Sequence, residues 1–173
     1  MSLWTWLGLD GPGVDGDSEG LAHIEQTLAG LEPARARYIA CFAYILTRGA
    51  CADLEITDGE ARAMERIVAE RGDIGAEQAS VVVDIARIQS LRSGGTDDVL
   101  VARQFNAVAS HDQKIALLDC LFAVAASDES IRTAEDHEIR RIANELKIEH
   151  PEYIAVRARH GKYLRALRDR DRL

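Results

Sequence analysis

Moved along by 75 positions, the sequence falls on itself. Leu46 lands on Leu121, Ala50 on Ala125, Asp53 on Asp128, Ile56 on Ile131 and Glu60 on Glu135. Further on, Arg66 meets Arg141, Ile67 meets Ile142 and Glu70 meets Glu145. Each copy reads as an apolar helix, then an Asp-x-x-Ile-x-x-x-Glu elbow, then an amphipathic helix. Such a duplication constrains the fold more than any local signal, because structural repeats bury a common interior by stacking on each other. The halves are expected over about 33–92 and 96–160, with a pseudo-twofold relation between them.

The rest of the chain also has a helical period. The first segment runs from about Glu19 to Leu31. Pro33 suits a first helical turn and opens a second segment with Tyr38, Cys41, Phe42, Ile45 and Leu46 on one face. The third starts after Thr57, turns Met64, Ile67 and Val68 inward, and ends between Gly72 and Gly75. A fourth spans about Ala76 to Arg92, and a fifth, after Ser93-Gly94-Gly95-Thr96, aligns Val101, Phe105 and Val108. The sixth, about Gln113 to Ala126, is apolar nearly all round, as the centre of a bundle must be. A seventh carries Ile139, Ile142 and Leu146, and the last begins near Pro151. No stretch alternates with period two, and aromatic residues make up only 5%. The sequence predicts an all-α protein, a compact bundle of about seven to eight helices. A glycine-rich acidic arm over 1–17 precedes a single helical domain over 18–173.

Charge narrows the partners. The formal net charge is −8, which argues against a phosphate-backbone binder, so no nucleic-acid partner is expected. A cation or a basic protein partner fits better. Residues 152–173 reverse the sign, with seven basic and three acidic side chains. A solvated helix face accounts for them, and contact of this tail with nucleic acid or an anionic surface is the alternative. Trp4 and Trp6 in the arm could touch a membrane, or fold back on the body. The start of the chain lacks the basic and apolar regions of a secretory signal, and a cytoplasmic location is expected. Cys41, Cys51 and Cys120 match no zinc spacing and read as reduced thiols, two of them on apolar faces.

Known chemistries find little support. Asp15-Gly-Asp17-Ser-Glu19-Gly20 resembles the start of a calcium loop, but Gln26 stands where the closing glutamate belongs. None of His23, His111, His137, His150 and His160 forms the Glu-x-x-His pairing of a di-iron bundle. Ser110-His111-Asp112 is contiguous, whereas a catalytic triad is assembled in space; Ser110 or Asp112 fits a helix cap better. No catalytic residue is assigned, and the chain reads as non-enzymatic.

The elbows hold the sharpest candidates. Thr57-Asp58-Gly59-Glu60 is a capping box, in which hydroxyl and carboxylate each satisfy a backbone donor. Thr133-Ala134-Glu135-Asp136 offers a similar box one position later, and Ile56 and Ile131 would plug their turns into the core. Asp53, Glu60, Asp128 and Glu135 are the candidate metal ligands. Hard cations take several oxygen ligands, which suits calcium or magnesium better than zinc or iron. Glu55, Asp58, Glu129 and Asp136 could extend one acidic patch. The competing reading is that each Asp ends one helix and each Glu caps the next, with no ion required.

The segments Ala52-Asp53-Leu54-Glu55-Ile56-Thr57-Asp58-Gly59-Glu60 and Ala126-Ser127-Asp128-Glu129-Ser130-Ile131-Arg132-Thr133-Ala134-Glu135 resemble the doubled Ala-Asp-Gly-x-Ile-Ser-x-x-Glu signature of the TerB-like family, named after a tellurite-resistance protein. The stretch Ile142-Ala143-Asn144-Glu145-Leu146-Lys147-Ile148, with Glu152-Tyr153 and Val156-Arg157, is similar to that family's closing segment. The resemblance covers roughly residues 35–160. It implies a compact helical fold with pseudo-twofold symmetry, a link to tellurite or chemical-stress resistance, and divalent-cation binding through the acidic turns. A metal-independent interaction scaffold using the acidic face is the alternative. One departure stands out: the glycine after each aspartate is replaced, by Leu54 and by Glu129.

Overall fold

The computed structural model describes residues 18–50, 56–90 and 98–165. Within them eight α-helices follow in order: α1 Ser18–Ala29, α2 Pro33–Ala50, α3 Asp58–Arg71, α4 Ala76–Ser90, α5 Asp98–Val108, α6 His111–Ala125, α7 Thr133–Glu145 and α8 His150–Arg159. Short 3-10 turns at Ala126–Asp128 and Gly161–Tyr163 complete them. The arm over 1–17, and with it Trp4 and Trp6, lies outside the described residues. Among the described residues no helix is long and apolar enough to cross a membrane.

Two helices form the interior. Helix α6 buries every side chain from Leu117 to Phe122, as its all-round apolar sequence predicts. Helix α2 is equally central, packing against α4, α5, α6 and α7. The sequence assigned it one inward face, yet Ile39, Ala40 and Ala43 are as buried as Phe42 and Leu46. Small residues explain the difference, because Ala40, Ala43, Gly49 and Ala50 let neighbouring helices approach on the remaining sides. At Gly49 the approach is extreme. A Cβ there would lie 2.9 Å from Ile142 Cδ1 on α7 and nearer still to Leu121 Cδ2 on α6.

The remaining helices close around this pair. Helix α1 lays Ile24 and Leu28 against the core and packs on α4. Tyr38 stacks on Phe105 with ring centroids 5.4 Å apart, joining α2 to α5. Arg48 emerges from α2 to pair with Glu138 at 2.6 Å and Glu145 at 2.7 Å on α7. Cys41 and Cys120 are buried free thiols, each pushed up to about 12, chiefly by desolvation. Cys51 lies outside the described residues.

Backbone pairing of another kind secures the end of the domain. Ile131 donates its N–H to Tyr163 O at 2.7 Å, and Arg165 donates to Ile131 O at 3.2 Å. Ile131 and Leu164 thereby form an isolated parallel bridge. Arg165 Nε adds a 2.7 Å bond to Ser130 Oγ, so the segment after α8 is sewn to the elbow before α7.

Candidate functional site

The first elbow is held as its sequence predicts. Thr57 has extended backbone geometry and caps α3. Its N–H and hydroxyl both donate to Glu60 Oε2, at 2.8 and 2.6 Å, and these bonds hold the Glu60 carboxyl below its ordinary value. Ile56 is buried beneath them.

In the second elbow, α6 ends at Ala125, the 3-10 turn carries Asp128, and Ile131 is fully buried. The capping residue is Arg132, and Glu135 Oε2 accepts its N–H at 2.8 Å. This corrects the box expected over Thr133–Asp136. The register follows the repeat without offset, Thr57 onto Arg132 and Glu60 onto Glu135. Asp136 is drawn into the core by Arg157, whose Nη2 and Nε lie 2.7 and 2.8 Å from its oxygens, and by the Tyr153 hydroxyl. Burial opposes ionisation of Asp136, but the Arg157 contacts prevail and its carboxyl titrates below its usual value.

Arg132 also changes the electrostatics. Its Nη2 lies 2.8 Å from Glu135 Oε1, so both Glu135 oxygens have partners. At Glu60 one oxygen takes both Thr57 bonds, and Asp128 has no ion-pair or hydrogen-bond partner among the described residues.

The glycine missing from the signature has a structural consequence. Glu129 occupies that position with φ 60° and ψ 14°, in the left-handed region that glycine tolerates best. The turn therefore retains the glycine conformation without the glycine. Leu54, its counterpart, lies outside the described residues.

Glu60, Asp128 and Glu135 all edge one cleft, floored by Ala50, Ile56 and Met64. Its volume is about 30 Å³, room for about one water or a bare ion. Among the described residues no three His, Cys, Asp or Glu side chains are grouped as a metal cage, so these carboxylates line the rim without converging on one point. Asp53, the fourth candidate, and Glu55 lie outside the described residues. Asp58 does not line the cleft and pairs with Arg87 at 3.0 Å, while Asp136 is an interior residue. The acidic patch is narrower than the sequence suggested.

Sequence reasoning missed a second polar cluster. Asp119 is buried in the middle of α6, where His160 Nε2 lies 2.9 Å from Oδ1 and Arg71 Nη1 lies 2.9 Å from Oδ2. The His160 bond first, and Arg71 with it, hold its carboxyl down at about 2. His160 is itself buried and stacks on Phe122 at 5.7 Å. Asp119 was the available signal, since a carboxylate inside an apolar helix requires cationic or hydrogen-bonding partners. His23 and His111 make long-range hydrogen bonds, to Asp84 and Glu152. Ser110 is the α6 cap, boxed with Gln113.

Residues 39–158 match the family model described as tellurite resistance protein TerB. No curated protein and no solved structure matches the chain.

Proposed function

The chain belongs to the TerB family, and from that membership we propose that it is a non-catalytic binding domain of a tellurite or chemical-stress resistance system, taking a divalent cation at the cleft edged by Glu60, Asp128 and Glu135. One observation carries the reading. Three of the four carboxylates chosen from the repeat, two of them 75 positions apart, edge a single ion-sized cleft. Calcium or magnesium suits an all-oxygen rim, with water completing the shell. Asp128 is the leading ligand because it has no competing partner among the described residues. Glu60 contributes Oε1, Glu135 joins once Arg132 swings away, and Asp53 is the proposed fourth carboxylate.

Calorimetric titration of the full chain with calcium, magnesium, manganese and zinc tests this. Saturable binding of calcium or magnesium, weakened at least about tenfold in Asp128→Asn, is expected. No heat at millimolar ion, or unchanged binding in an Asp53→Asn/Asp128→Asn double variant, overturns it.

The rim arrangement favours a second reading, a metal-independent acidic docking face for a basic protein partner, because its carboxylates do not converge. A partner released by salt but not by chelator would identify it.

A further inference from the structure

Toward the C-terminal end of α3, a second cavity of about 280 Å³ opens between that helix, the end of α6 and the turn after α8. Ala63, Arg66, Ile67, Glu70 and Arg71 face it from α3, the i, i+3, i+4, i+7, i+8 stripe of one helix side. His160 and Tyr163 form the opposite wall. The volume lies just below the usual range for drug-sized ligands, so the ligand that fits is small.

The wall is cationic and partly fixed in place. Asp119, held by His160, anchors Arg71 through Nη1 alone, which leaves the other donors of the guanidinium fork uncommitted among the described residues. Arg66 has no ion-pair or hydrogen-bond partner among the described residues. Its repeat counterpart, Arg141, is engaged by Asp98, Glu138 and Glu145. His160 is 6% exposed, and its only side-chain hydrogen bond among the described residues runs through Nε2 to Asp119. Arg159, which does not line the cavity, has Nη1 4.0 Å from Asp119 Oδ1. Against these cations stand Asp119, already paired, and Glu70, which lies close enough to Arg71 to stabilise its charge.

We propose that this cavity binds a small oxyanion group, phosphate or carboxylate, between the Arg66 and Arg71 guanidiniums, with His160 and Tyr163 closing the wall. Guanidinium forks match the paired oxygens of both groups. The buried Asp119–His160 pair fixes Arg71 in advance, so less side-chain freedom is lost on binding. The cavity adjoins the carboxylate-rimmed cleft through Ala63 and Ile67 but contains none of its carboxylates, and anion binding here does not require a cation there.

The test is an NMR titration of the full chain with inorganic phosphate, and separately with acetate, at ionic strength held constant with chloride. The signals followed are Arg66 and Arg71 Nε–H and the His160 ring. Saturable shifts at these three residues are expected, with affinity reduced at least about tenfold by Arg66→Gln and within about twofold of wild type for Arg103→Gln, an exposed arginine on α5. Saturation by phosphate alone identifies a phosphate-type ligand, by acetate alone a carboxylate, and by both the shared chemistry. Linear, unsaturated shifts with both anions, or equal weakening by the two arginine variants, overturn the proposal. Circular dichroism melting of each variant confirms that the fold is intact.

Discussion

Arg132 Nη2 lies 2.8 Å from Glu135 Oε1, at the point where the first elbow has Thr57 hydrogen-bonded to Glu60. The two halves thus share a cap geometry but differ in charge. Arg132→Thr restores the threonine and removes the cation beside the cleft. Affinity for calcium or magnesium should rise about fivefold in calorimetry, and the new hydroxyl cap should add about 1 kcal/mol of stability. An unchanged or weaker affinity would show that Arg132 does not restrain the site.

Glu129→Gly should stabilise the domain. An L-residue in the left-handed region costs about 1–2 kcal/mol, and glycine's extra unfolded-state freedom offsets part of that relief. A net gain near 1 kcal/mol corresponds to a melting rise of about 3 °C for a chain of this size. A melt that stays put or falls would mean that contacts of the Glu129 side chain outweigh its backbone strain.

Gly49→Ala should do the reverse. The added methyl runs into Leu121 and Ile142 at the crossing of α2, α6 and α7, all fully packed. Overpacking of this kind costs about 1–3 kcal/mol, read as a lower denaturant midpoint with unchanged slope. Gly59→Ala, where nothing lies within 4 Å of the new Cβ, is the matched control and should not reproduce the loss.

Acid should weaken the Asp119 cluster in a defined window. The carboxyl titrates near 2 in the fold and near 3.8 when free, so its contribution is complete above about pH 4. It fades as pH falls toward 2, and integrates to about 2 kcal/mol. Urea melts of wild type and Asp119→Asn between pH 2 and 6 measure it. Parallel curves for the two proteins across that range would remove Asp119 as a source of acid sensitivity.

Periodicity and repetition made the helices and the elbows legible. The 75-residue offset fixed the Arg132–Glu135 register more reliably than local cap chemistry did. Threonine is the better capping residue, which pointed one position too far, but burial of Ile131 and pairing of Asp136 with Arg157 decide where α7 starts. Small residues hid the full burial of α2, because alanine and glycine carry little hydrophobic signal while permitting the closest helix approach. His160 was illegible for a different reason. Its partner Asp119 is 41 residues away, and nothing in a linear pattern joins a histidine after α8 to a carboxylate inside α6.

The Ile131–Leu164 bridge orders events during synthesis. By the time Glu135 has been translated, every candidate carboxylate already exists in the nascent polypeptide. The elbow bearing Asp128 still lacks the backbone partners that Tyr163 and Arg165 will provide. Final shaping of that rim therefore requires the far end of the chain, and a polypeptide cut before Tyr163 would leave the acidic turn unclasped.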